Sequence, residues 1–363
     1  MAGIVDISID FKEQARTLVD RSKKGVVAII LKDTKKLLQE ITDTKEIPKE
    51  LNEKNKKYVS DAFIGYLNDN EVIKPKKVII STYTTALVKE GETGTGIETN
   101  LSELEAMEFD YICIPEATTE QTTLLTSWVK DMREEGETAK AIVANTKADS
   151  EGIINYTHNI TVEGTQIPAE NYVSRIAGLL ASTPATHSTT YAILPEVDSI
   201  DKLDKEITNS KIEAGELILS RIAGKIRIAR GVTSLTTLTE EKGEIFQKIK
   251  LVEAIDLIEN DIKKLYIEKY ISKYPNTYDN KCLFIVSVQE YLSELVKLGL
   301  IESNFTVGID LDAQKNYLIS KNIDISNMKD EEILSANTGS QGFYYINLKL
   351  VDAMEDIKIK VVL

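Results

Sequence analysis

The chain has 363 residues, 42% hydrophobic and 28% charged, enough for two or three domains with full cores and too apolar for a disordered polymer. Its 58 acidic residues outnumber 44 basic ones, and a net charge of −14 argues against a nucleic-acid binder, which would carry a basic stripe. No apolar run suits a bilayer span, and Asp6 and Asp10 interrupt the segment where a signal peptide would be apolar, so membrane insertion and export are not expected and the cytoplasm is the expected site of assembly.

Residues 4–11 alternate Val5, Ile7, Ile9 and Phe11 with Asp6, Ser8 and Asp10, the pattern of a half-buried strand. A basic stretch from Arg21 to Lys24 precedes the apolar run 25–31, which suits a central strand. The spacing predicts a helix over 49–66, a strand over 77–83, a short helix over 101–108 and a buried strand over 111–114 ending at Pro115. Thr118 or Thr119 caps a helix with Leu125, Trp128 and Met132 on one stripe and Gly136 as its stop. A strand over 139–144 and a helix over 169–181 follow. Strands over 189–197 and 216–230 flank a charged helix near 201–213. This alternation, from residue 25 to about 235, predicts a parallel or mostly parallel α/β sheet.

Past the Thr/Ser-rich segment 233–239 the pattern changes. Long helices over 251–270 and 278–298 carry apolar stripes, Leu251, Ile255, Ile258, Ile262 and Leu265 on one and Ile285, Val288, Leu292 and Leu295 on the other. These stripes are expected to face a core, and any exposed part would mark a subunit contact. A strand over 305–309, a short helix, a polar loop over 326–341 and a long strand over 343–350 complete an α+β pattern. Residues 355–363 then alternate Ile357, Ile359 and Val361 with Lys358, Lys360 and Val362. The expected fold class is α/β plus α+β. Its parts are an N-terminal arm and edge strand (1–24), an α/β domain (25–235), an α+β domain (236–350) and a C-terminal arm (351–363). The two apolar end strands each need a sheet edge, in their own fold or in another copy of the chain.

The search for chemistry finds little. His158 and His187 are the only histidines, and neither lies in a Gly-x-Ser-x-Gly setting. Cysteine and histidine spacings match no metal site, and the acidic pairs Asp310/Asp312 and Asp330–Glu332 read as solvated helix starts. Gly91–Gly96 lacks the ending of a phosphate loop and reads as a surface loop. Cys113 and Cys282 read as small buried hydrophobes and Trp128 as a core anchor. No catalytic residue, metal or cofactor is expected. The competing reading is an α/β hydrolase-like enzyme whose site escapes recognition.

Three segments of the C-terminal half carry a resemblance: Ile249-Lys-Leu-Val-Glu-Ala-Ile-Asp-Leu-Ile-Glu-Asn-Asp-Ile262, Asn276-Thr-Tyr-Asp-Asn-Lys281 opening a helix, and Leu350-Val-Asp-Ala-Met-Glu-Asp-Ile357. With the N-terminal order and Thr190-Tyr-Ala-Ile-Leu-Pro-Glu-Val197, they resemble the tail sheath protein of contractile phage tails. The nearest type is the short one of Gram-positive defective prophages and phage-tail-like bacteriocins. The likeness covers most of the chain and is weakest over 40–180.

The resemblance implies subunits that polymerise helically around a tail tube and contract to drive it through a target envelope. It implies an outward α/β domain, similar to a subtilisin-type fold without its active site, and a tube-facing α+β domain. The implied partners are other copies of the chain, the tail tube, and baseplate and tail terminator proteins. The chain would assemble in the cytoplasm and end in a phage tail or a released tail-like particle. Arms at both ends would add strands to neighbouring subunits. The residues concerned are Val5, Asp6, Ile7, Ile9, Asp10 and Phe11 at one end and Ile357, Lys358, Ile359, Lys360, Val361 and Leu363 at the other. Where two arms lie side by side, Asp6 and Asp10 would face Lys358 and Lys360. Lys281 and Lys297 read first as solvated surface, with tube contact as the alternative.

Overall fold

The computed structural model describes residues 25–84 and 96–361. Within them the chain divides into two compact units, one of residues 25–253 with 353–361 and one of residues 254–352. Both mix helix and sheet.

The first unit is built on a seven-stranded sheet. In chain order it starts with β1 (Val26–Lys32) and β2 (Leu38–Ile41), then α1 (Glu53–Ala62), the hairpin β3 (Tyr66–Asn68) and β4 (Glu71–Ile73), and β5 (Lys77–Tyr83). Next come α2 (Glu98–Leu104), β6 (Tyr111–Cys113), α3 (Thr119–Glu134), β7 (Lys140–Ala144) and β8 (Ile153–Tyr156). After β9 (Ile160–Val162) and β10 (Thr165–Ile167) follow α4 (Val173–Ser182), β11 (Ser199–Ile200), α5 (Lys205–Glu213), β12 (Glu216–Leu217) and the hairpin β13 (Leu219–Ile222) and β14 (Lys225–Ile228). The sheet order is β12-β8-β7-β6-β1-β5-β2, parallel throughout except for β2. β1 sits centrally, Ile29 opposite Ile80 on one side and Cys113 on the other. Its start is pinned by Asp110, whose carboxylate accepts from the amides of Gly25 and Val26 at 2.7 and 2.8 Å.

Alternate residues of each strand go to opposite faces, and both faces are covered. Val27, Ile29, Val78, Ile80 and Cys113 pack with Tyr58, Val59, Ile176 and Leu180 of α1 and α4. Ala28, Ile30, Ile79, Ile112 and Val143 pack with Leu101, Leu104, Leu125 and Val129 of α2 and α3. Every residue of α4 is buried. Its Gly178 lets α1 approach so closely that an added Cβ would lie 2.0 Å from the Ala62 carbonyl oxygen.

The parallel α/β pattern is as expected, with differences in detail. Residues 189–197 form no strand among the described residues. Tyr191 is left-handed (φ 64°) and Pro195 has no amide, so Tyr191 and Leu194 bond to Ile228 and Ile226 of β14 without a regular ladder. The segment 216–230 is broken into three short strands: β12 ends at Leu217, and a turn at Ala223 and Gly224, both of positive φ, separates β13 from β14. The all-buried β8 and the small strands β2–β4 and β9–β10 are too short for a periodic signal.

The second unit starts within α6 (Ile249–Leu265), followed by a wide turn over Tyr266–Tyr270 and by α7 (Tyr278–Lys297), capped by Thr277. β15 (Thr306–Ile309), α8 (Leu311–Ser320), α9 (Asp330–Ser335) and β16 (Tyr344–Asn347) follow. The polar segment 326–341 thus holds a short helix, and the strand expected over 343–350 is regular only over β16. β15 and β16 form an antiparallel pair, extended by a bridge between Ile301 and Leu350. An aromatic nest holds this pair on the helices. The Phe284 ring meets Tyr266, Tyr270 and Tyr344 edge-on, with centroids at 5.3, 5.1 and 4.8 Å. Tyr291 of α7 and Asp261 of α6 are both fully buried, and burial together with the nearby Asp261 charge pushes the Tyr291 hydroxyl pKa up.

Gly178→Ala should destabilise the first unit by about 1–3 kcal/mol, because the methyl group collides with backbone and not with a movable side chain. A fall in urea midpoint followed by circular dichroism is the expected result; an unchanged midpoint would show that the α1–α4 contact is soft.

Candidate functional site

The histidines, cysteines and acidic clusters singled out in the sequence take part in local contacts. His158 is buried; its Nδ1 accepts from the Leu219 amide and its Nε2 lies 3.1 Å from the Asp201 carbonyl oxygen. Burial lowers its pKa. His187 sits beside the Tyr66 hydroxyl at 3.3 Å. Asp310 caps α8 through the Ala313 amide, and Asp330 pairs with Lys315 at 2.9 Å. Cys113 is fully buried, which pushes its thiol pKa up, whereas Cys282 is only half-buried; both are free. Trp128 stacks on Phe109 and donates to Glu105. Among the described residues no three His, Cys, Asp or Glu side chains are placed to hold a metal ion, and no helix is long and apolar enough to cross a membrane.

A crevice opens beyond the carboxyl ends of β6 and β7, where parallel sheets hold their ligands. Thr119, Thr122, Asn145, Thr146 and Glu170 line it with Ile114, Leu125 and Ile142, and no histidine or cysteine is among these described lining residues.

The C-terminal segment is different. Glu355 and Asp356 are held on the first unit by Arg230, at 3.3 Å from its Nε and 2.5 Å from its Nη2, and the Ser188 hydroxyl donates to Glu355 at 2.7 Å. Beyond this root the alternating residues stand in water: Ile357 is 67% exposed, Ile359 81% and Val361 74%. Lys358 and Lys360 are exposed as well. Residues 353–361 pair with no strand among the described residues. Leu363 and the N-terminal set Val5, Asp6, Ile7, Ile9, Asp10 and Phe11 lie outside the described residues, as do 91–95 of the glycine-rich stretch.

Where could such a segment go? The edges of the large sheet are poor acceptors. β12 has two residues, and β2 is short, with Glu40 paired to Lys77 at 2.7 Å. In the second unit, β15 and β16 each keep one edge without a strand partner among the described residues. Alongside runs an apolar groove of about 470 Å³, lined by Ile255, Ile258 and Ile262 of α6 and by Ile346, Leu348 and Leu350, with Glu259 and Lys263. The stripe on α6 was legible as a core face. Its half-buried members Ile255 and Ile262 instead form the wall of this groove. Arg230 and Ser188 carry no sequence signal, because their partners lie 126 and 167 residues away.

Lys281 does not fit its expected place at a surface. It is 2% exposed, and its ammonium donates to Gln314 at 3.3 Å and Thr338 at 2.9 Å. Lys297 is exposed, paired with Glu294 one turn away.

Two family models match the chain: the phage tail sheath protein central domain over residues 90–234 and the phage tail sheath C-terminal domain over residues 241–363. The tail sheath protein of Clostridium phage phiCD119 is 58% identical over 362 residues, 99% of each chain. Among solved structures, a sheath tail protein from Listeria innocua superposes with a TM-score of 0.67 at 17% identity, over 94% of this chain and 98% of that one. The helical sheath of the anti-feeding prophage in its contracted state gives 0.67 at 13% identity over 93% of each. At these identities the two structures speak for the fold.

The burial of Lys281 has a pH signature. Burial lowers its folded pKa, so below the ordinary lysine value of about 10.4 the unfolded chain binds more protons, and stability rises with pH toward that value. Lys281→Met should flatten this rise; urea midpoints at pH 7 and 10 measure it, and equal slopes in the two proteins would refute it.

Proposed function

The chain belongs to the phage tail sheath family, and from that premise we propose that it is a non-catalytic subunit that polymerises helically around a tail tube and contracts to drive the tube through a target envelope. In this reading the α/β unit faces outward and the α+β unit faces the tube. The working partners are other copies of the chain, the tube, and the baseplate and terminator proteins at the ends. Assembly takes place in the cytoplasm of the producing cell. The contracted helical state of the anti-feeding prophage sheath supports the same cycle for this fold.

The observation that carries the proposal is the bare alternation at Ile357–Val361, together with strands β15 and β16 that each keep an edge without a strand partner among the described residues. The C-terminal arm of one subunit adds to the β15–β16 pair of another and lays its apolar face in the groove of Ile258, Ile346 and Leu350. The N-terminal residues Val5 to Phe11 add in the same way, with Asp6 and Asp10 meeting Lys358 and Lys360 across strands for about 0.2–1 kcal/mol each.

The energies favour reversible docking. Five added residues gain about 0.5–1.5 kcal/mol for each backbone hydrogen bond. Three buried apolar side chains contribute about 1.5–3 kcal/mol apiece. Ordering costs about 1–2 kcal/mol per residue, which leaves a few kcal/mol per arm. A single arm docks weakly, and many arms in a lattice hold firmly.

Deleting residues 357–363 should leave a folded, soluble chain that forms no sheath, and Ile346→Glu should do the same from the acceptor side. Negative-stain microscopy and sedimentation read both. Striated sheaths of normal length from the deletion would sink the arm reading.

A further inference from the structure

The arm has a built root, and we infer that Arg230 is the residue that positions it. This rests on the arm reading above. Two carboxylates, consecutive in sequence, converge on one guanidinium: Glu355 at Nε and Asp356 at Nη2. Glu355 is the anchored one, its side chain 10% exposed and its second oxygen taken by Ser188. Asp356 faces water, 80% exposed. Arg230 can serve two acids at once because its planar fork presents donors in two directions, which a lysine cannot do.

The seat under this contact is knitted together. The Thr190 amide donates to the Ser188 hydroxyl at 3.1 Å, and the Gly231 amide donates to the Thr190 hydroxyl at 2.9 Å. Segments 188–190 and 230–231 therefore hold each other, and both hold Glu355. A Cβ at Gly231 would lie 2.2 Å from the Thr189 hydroxyl, which would have to turn aside to admit it. On either side of the root the chain is bare: Met354 is 88% exposed and Ile357 67%.

A fixed root sets the length of the link. With Asp356 held, the exposed residues 357–361 reach at most about 18 Å from the root. Releasing Met354, Glu355 and Asp356 lengthens the tether by about 10 Å and lets it point anywhere. A longer, unaimed tether lowers the effective concentration of the arm at its acceptor and loosens the spacing between neighbours. Arg230 thus makes the arm a link of defined length and direction.

Arg230→Ala in the full chain tests this. Amide exchange at residues 354–356 should rise about tenfold while the urea midpoint stays near wild type. Sheath yield should fall about tenfold, and the sheaths that form should lose regular helical order. Arg230→Lys should fall between, since it keeps the charge and loses the fork. Should Arg230→Ala fail to fold, the pair Glu355→Gln with Asp356→Asn releases the same root from the arm side. Unchanged exchange at 354–356 overturns the inference, and so do well-ordered sheaths at normal yield despite faster exchange. The deletion of 357–363, run in parallel, separates the two levels. If the deletion abolishes sheaths and Arg230→Ala does not, the root alone is wrong; if the deletion still forms sheaths, the arm reading itself is wrong.

Discussion

Three branched side chains, Ile357, Ile359 and Val361, stand in water on a segment whose backbone pairs with no strand among the described residues. Covering them would release on the order of 1.5–3 kcal/mol apiece, and nothing in their own segment covers them. The remaining architecture makes sense around this uncovered stripe. A folded chain that buries Ile29, Ile80 and Ile112 completely has no shortage of interior, so the exposure at the end reflects where the segment is held and not a lack of core.

The two units treat sheet edges in opposite ways. In the α/β unit, helices cover both faces of seven strands, and the edges are a two-residue strand and a short strand with a paired glutamate. Such edges resist addition. In the α+β unit the sheet has two strands among the described residues, a size that is barely stable unless something packs on it. The Phe284, Tyr266, Tyr270 and Tyr344 nest supplies that packing, and burial pushes the Tyr344 hydroxyl pKa up to about 12. The nest holds the pair through Tyr344, and Ile346, two residues on and on the same face, borders the groove.

Much of this was legible in the sequence, and the reasons for success and failure are physical. Apolar runs such as 25–31 and 77–83 are long enough to give the parallel sheet, and the 3.6-residue stripes of α6 and α7 gave the long helices to within a few residues. Short buried strands such as β8 carry no period, and residues 189–197 look extended until a left-handed Tyr191 breaks the ladder. Burial of a lysine could not be read at all: Lys281 looks like any first-turn cation, and only Gln314 and Thr338, far along the chain, take it inside. The same distance hid the Arg230 seat. Alternation at 357–361 was visible, but alternation states only that one face wants cover; it is silent on whose strand supplies it.

That silence separates a globular chain from the subunit of a polymer. A segment completing its own sheet is fixed by intramolecular closure and gains nothing from neighbours. In the proposed lattice, a segment anchored at Glu355 and bare beyond Asp356 has its root inside the chain and its apolar face covered by another copy. With a net charge of −14, copies repel until specific contacts bring them together, so association rests on matched surfaces and not on general stickiness. A weak, short, aimed link meets the mechanical demand of the proposed lattice: each contact forms without trapping errors, the link stays attached while subunits rotate, and stiffness comes from the number of links and not from the strength of any one.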